Sequence, residues 1–118
     1  MNFQDRRFDF TMQLARFGDD FWRLSRFARL FIEETPLRMK AIRLGLAARD
    51  PAAVREAADG LAEGLHSLGA PETAAIAAEL ARCGRDRDFA HARLLVIALQ
   101  RNVDELLAMV KTWPPLAA

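Results

Sequence analysis

The stretch from Asp50 to Pro71, DPAAVREAADGLAEGLHSLGAP, decides the fold class. Asp50 offers a side-chain acceptor to backbone N–H groups that have no partner in a first helical turn, and Pro51 lacks an N–H that would go unpaired there. Between this start and Gly69, the residues Val54, Ala57, Ala58, Leu61, Leu65 and Leu68 recur at helical spacing as one apolar stripe. Arg55, Asp59, Ala62, Glu63 and His66 occupy the other face. The spacing predicts a helix over 51–68 that stops at Gly69. Gly60 and Gly64 each cost such a helix about 1 kcal/mol against Ala, so close backbone approach or tertiary packing must offset them.

The helical period continues on both sides. Upstream, Phe21, Leu24, Ala28, Phe31, Thr35, Met39, Ile42 and Leu46 keep spacings of three and four across Pro36, which fits two helices or one long helix kinked there. Asp19 or Asp20 would cap that segment after a turn at Gly18, and 8–16 reads as a short packing helix before it. Downstream of Pro71, Glu72 to Cys83 reads as a helix with Ile76 and Leu80 inward and Gly84 as its stop. A last helix over 88–112, ended by Pro114 and Pro115, carries Phe89, Ala92, Val96, Leu99, Val103, Leu106 and Val110 as a seam suited to a bundle or coiled coil. The expectation is an all-α antiparallel four-helix bundle over 16–112 with an added N-terminal helical segment, 1–15, in a single domain of 118 residues.

Composition narrows the function classes. Hydrophobic residues make up 52% of the chain, which excludes an intrinsically disordered composition, and 17 basic against 16 acidic side chains leave a net charge of +1. So small a charge disfavours nucleic acid or an anionic membrane as partner. No apolar run approaches the length of a membrane span, and the charged residues Asp5, Arg6 and Arg7 with no apolar run behind them argue against a signal peptide. The single cysteine, Cys83, fits a reducing compartment, so a cytoplasmic location is expected. Seven of the eight phenylalanines lie at or before Phe31, which marks one end of a core.

Little points to catalysis. There is no phosphate loop, dinucleotide fingerprint or CxxC pair, and His66 and His91 lack spaced partners for a metal, so neither metal nor cofactor is expected. Cys83 reads as a structural thiol, and the phenylalanines interleaved with arginines read as core at helical spacing. Trp22 and Trp113 read as partly exposed partner contacts, although lone tryptophans usually serve packing. Taken alone, Arg55, Asp59, Glu63 and His66 read as a solvated face with local charge pairs.

A resemblance changes the weight of that face. The order Arg16-Phe17-Gly18-Asp19-Asp20, Leu30-Phe31-Ile32-Glu33-Glu34-Thr35-Pro36, Leu44 to Pro51, and Leu68-Gly69-Ala70 is similar to the histidine-containing phosphotransfer (HPt) domain, over about Arg16 to Leu107. The central helix of that family carries a pattern close to A-H-x-L-K-G ahead of L-G-A. Counted back from Leu68-Gly69-Ala70, this chain reads Ala58-Asp59-Gly60-Leu61-Ala62-Glu63. The resemblance implies a four-helix bundle whose exposed histidine would exchange a phosphoryl group with receiver-domain aspartates, and Asp59 stands in that position. Ala62 replaces the lysine that offsets phosphate charge, and Glu63 replaces the glycine that leaves room for the receiver.

The resemblance therefore implies a non-catalytic pseudo-HPt module, no enzyme, that binds a receiver domain or a sensor histidine kinase through Arg55, Asp59, Ala62, Glu63 and His66 and modulates a bacterial phosphorelay. Two alternatives stand beside it. One is an active intermediate using His66, two turns beyond Asp59 on nearly the same face. The other is a helical homodimer joined along the seam from Phe89 to Val110.

Overall fold

Three helices of this chain start where the carboxylate of an aspartate caps them. The computed structural model describes residues 10–114, in five helices: α1 (Phe10–Arg16), α2 (Phe21–Ala47), α3 (Pro51–Leu68), α4 (Pro71–Arg85) and α5 (Phe89–Val110). The carboxylate of Asp20 accepts from the N–H of Arg23 at 3.0 Å, that of Asp50 from Ala53 at 3.1 Å and that of Asp88 from His91 at 3.2 Å. Each satisfies one donor that the first turn leaves unpaired. Asp20, and not Asp19, is the cap of α2, since Asp19 sits at φ 60° in the preceding turn.

The turns within the bundle share one construction. A left-handed residue follows the helix, and the next N–H reaches back five residues: Asp50 to Gly45 at 2.9 Å, Ala70 to Leu65 at 3.0 Å, Asp88 to Cys83 at 2.9 Å. The left-handed residues are Arg49, Gly69 and Arg87, so only one of the three is the glycine such a turn favours. Short turns of this kind make sequence neighbours antiparallel. α2, α3, α4 and α5 pack in that order round a ring, α3 against α4 most broadly, and α5 returns to α2.

α2 is one helix through Pro36. The ring of Pro36 is exposed, whereas Phe31, Thr35, Met39 and Ile42 on either side of it are buried, so core packing carries the helix past the hydrogen bond that proline cannot donate. At 27 residues it is about 40 Å long, matching the 41 Å long axis of the molecule, and it overhangs the 18-residue α3. The aromatic end of the chain covers this overhang. Phe10 meets Phe21 and Trp113 edge-on with centroids 6.0 and 5.9 Å apart, and Phe17 lies 5.5 Å from Phe27.

The structure corrects several sequence expectations. Trp113 is buried against Phe10 and only Trp22 is exposed. α4 begins at Pro71 and runs through Gly84 to Arg85, so Gly84 is no stop. It is a contact point: a Cβ there would lie 2.9 Å from Val54 Cγ1 and 3.0 Å from the backbone nitrogen of Arg55. Gly45 on α2 meets the same valine from the other side, where a Cβ would stand 3.0 Å from Cγ2. Ala57, Ile76 and Val96 are half-buried at the margin of the core. The seam residues Phe89, Ala92, Leu99, Val103, Leu106 and Val110 are buried within the chain, so they offer no face to a second copy. The first nine residues of the predicted N-terminal extension, and Pro115, lie outside the described residues.

Two sets of stability predictions follow from these contacts. Gly84→Ala is expected to lose about 1–3 kcal/mol to overpacking, beyond the roughly 1 kcal/mol that helix propensity returns. Gly64→Ala, whose Cβ would meet only Phe31 Cδ1 at 4.0 Å, is expected to gain up to about 1 kcal/mol. Urea denaturation ranking the two alike would remove the clamp at Val54. Arg87→Gly should gain about 0.5–1 kcal/mol by relieving a left-handed side chain. Arg49→Gly should gain less, because the Arg49 guanidinium stacks on Phe89 at 4.8 Å. Equal gains at both positions would argue against that stacking as a stabilising contact.

Candidate functional site

The face singled out on α3 divides when its neighbours are in place. Asp59 is exposed near the middle of the helix, and Arg55, one turn earlier, approaches its carboxylate at 3.8 Å with both side chains about half exposed. An ion pair this long and this wet contributes a few tenths of a kcal/mol at most, and it leaves the carboxylate available. Ala62 is half-buried against the core. Of the five expected site residues, only Arg55 and Asp59 touch through their side chains.

Glu63 belongs to a groove between α2 and α3. Its lining includes Leu30, Glu34 and Arg38 from α2 and Gly60, Glu63 and Gly64 from α3. Arg38 is paired with Glu34 at 2.9 Å, and its guanidinium lies across α3 where a Cβ on Gly60 would have to go. That contact accounts for a glycine in mid-helix. It also brings a cation beside the position after Asp59, on the side of α3 that faces α2. The Glu34 to Arg38 spacing of four was legible as a helical ion pair, but its reach over Gly60 depends on how α2 and α3 cross.

His66 belongs to a third place, a recess of about 310 Å³ where α1 meets the turn between α3 and α4. Met12, Gln13 and Arg16 line it from α1, and Gly69, Pro71 and Glu72 from the turn. The Arg16 guanidinium donates to the side-chain oxygen of buried Gln13 at 2.7 Å and extends toward the carbonyls of Ser67 and His66 at 3.4 and 3.5 Å. It thus supplies positive charge to the carbonyl end of α3. No lysine or arginine lies within four residues of His66 in the sequence, so this cation from 50 residues away was not legible there.

The remaining reactive side chains have local roles. Glu79, Arg82 and Asp86 form an ion-paired cluster on α4, in which the hydrogen bond from Arg82 holds the Glu79 carboxyl below its usual range. Cys83 is fully buried, and desolvation pushes its thiol pKa up although Arg82 draws it down, which is the setting of an inert thiol. His91 is exposed in the first turn of α5. Among the described residues no three His, Cys, Asp or Glu side chains group as a metal site, and no helix is long and apolar enough to cross a membrane.

The described residues form a helical bundle with an exposed polar face on α3, and among them no catalytic constellation is assembled. No curated protein and no solved structure matches the chain. A family model does: the Hpt domain, over residues 26–109, from within α2 to the last turn of α5 and leaving α1 outside. With most of the chain matched on an all-helical bundle, this protein belongs to the Hpt domain family, whose members act in phosphorelay signalling beside receiver domains and kinases.

Proposed function

We propose that this chain is a non-catalytic Hpt module, which docks on a receiver domain or histidine kinase and modulates a phosphorelay without carrying the phosphoryl group. Asp59 carries the reading. It is exposed at mid-helix, at the position that the family resemblance equates with the phosphoacceptor histidine, and its carboxylate lacks the imidazole nucleophile. A phosphoryl group on Asp59 would be an acyl phosphate, for which this face offers no metal site and one half-exposed partner, Arg55. Half-buried Ala62 and exposed Glu63 add no positive charge, and Glu63 would oppose an acidic receiver pocket. The face formed by Arg55, Asp59, Ala62, Glu63 and His66 then serves for binding. The single buried thiol is consistent with action in the cytoplasm.

One observation favours a second reading, transfer through His66. Arg16 extends to its backbone beside a recess that opens at the imidazole. Against it, Arg16 is already engaged by Gln13, and Glu72 lines the same recess.

Incubation with a phosphorylated receiver domain, or with an active hybrid kinase, tests both readings. The expected result is binding by calorimetry with no acid-labile label on the chain; label that disappears in His66→Ala would overturn the proposal in favour of transfer. A companion variant, Asp59→His with Ala62→Lys and Glu63→Gly, is expected to accept label, because the supporting bundle is already present. If that triple variant binds yet never labels, Asp59 does not occupy the acceptor position.

A further inference from the structure

The recess between α1 and the turn from α3 to α4 holds two opposite charges that do not meet. Arg16 and Glu72 both line its volume of about 310 Å³, yet no ion pair joins them, and neither makes one with any other described residue. Elsewhere such neighbours close on each other, as Arg38 does on Glu34 and Arg82 on Glu79 and Asp86. The Arg16 guanidinium is turned instead toward Gln13 and the carbonyls of Ser67 and His66, which holds it against the end of α3.

A buried donor lines the same space. Gln13 is 2% exposed; its side-chain oxygen takes the hydrogen bond from Arg16, and its amide nitrogen donates to no described residue. A buried N–H without an acceptor is costly, so its retention calls for one. Gly69 lets the carboxamide and the guanidinium stand at the wall: a Cβ there would lie 2.9 Å from Gln13 Oε1 and would run into the guanidinium of Arg16. The start of α4 adds to the donors. Aspartates cap α2, α3 and α5, but Ala70 precedes α4 without a side-chain cap, and Pro71 and Glu72, the first residues of α4, bring the positive end of that helix to the recess.

These donors call for a carboxylate, and Glu72 calls for a cation beside it. A bare anion would meet Glu72 and a bare cation would meet Arg16, so a ligand carrying both charges suits the recess better than either. Met12 and Pro71 add apolar surface, and the volume lies at the small end of ligand pockets. We propose that this recess binds a free α-amino acid, with its carboxylate toward Arg16, the Gln13 amide and the start of α4, its ammonium on Glu72, and an aliphatic side chain along Met12 and Pro71. The bound molecule bridges α1 to the turn between α3 and α4, and so fastens α1 on the bundle in proportion to its concentration. Asp59 lines no part of this recess, so the site is independent of the role of Asp59.

The test titrates the full chain with L-leucine and L-methionine, followed by NMR, against two analogues that each lack one charge: isocaproate without the ammonium and leucinamide without the carboxylate. Both amino acids are expected to shift the Gln13 side-chain amide and the backbone of Gly69 and Glu72 at about 1 mM or below, and to raise the melting temperature. Each analogue should bind about tenfold more weakly or worse. Arg16→Gln should cost a similar factor. Glu72→Gln should weaken the amino acids and strengthen isocaproate, bringing the two together, a change of preference that mere loss of structure would not produce; it decides the matter by itself should Arg16→Gln detach α1. Absence of shifts with both amino acids up to about 10 mM, analogues that bind as well as the amino acids, shifts centred on Trp22 and Phe27, or an unchanged preference in Glu72→Gln would overturn the proposal.

Discussion

Val54 is the residue on which the arrangement of the bundle turns. It sits in the first turn of α3, fully buried, with one methyl against Gly45 of α2 and the other against Gly84 of α4. Where a side chain packs onto two facing glycines, the three backbones come as near as their atoms allow, and dispersion contacts replace what two methyl groups would otherwise fill. The loss of helix propensity at Gly45 and Gly84 is offset by that approach. The helices are therefore fastened to one another at the end where α2 turns into α3.

The opposite end is organised differently. α2 outruns α3 there, and phenylalanines rather than glycines do the packing, with α1 and Trp113 laid over the overhang. Between the clamp and the aromatic cover, α3 passes Gly60 and Gly64 with Arg38 as its main visitor from α2. The exposed middle of α3, where Asp59 stands, thus rests on a frame held at both ends. A docking face needs such a frame, because a partner can read side-chain spacing only where the backbone keeps it constant.

Much of this was legible in the sequence wherever the signal was local. Both ends of α3 followed from Asp50, Pro51 and Gly69, and the buried stripe from Val54 to Leu68 followed from its period. Other features depended on contacts between distant residues. Whether Pro36 breaks a helix depends on how firmly its neighbours pack. Gly84 reads equally well as a stop or as a notch, and only the valine 30 residues earlier in the chain decides between them. The left-handed Arg49 and Arg87 gave no sign of themselves, since arginine is not the residue a turn of that kind selects. The site divided for the same reason. Arg55, Asp59, Glu63 and His66 share one helix face in sequence, yet Glu63 belongs with α2, and His66 belongs with α1 through a guanidinium that local spacing could not reveal.

The repeated turn also governs how the chain reaches this structure. Each link from α2 to α5 closes over a few residues and fastens its own end by a hydrogen bond from beyond the helix, so neighbouring helices meet at small loop-closure cost. α3 and α4, joined by the glycine turn and sharing the broadest interface, have the most to gain from pairing early, and the contact between α5 and α2 is the one that must span the chain. Such topology belongs to chains that fold in microseconds to milliseconds. A bundle assembled in this way spends little time with its central helix bare, because both helices that cover α3 are its neighbours in the chain.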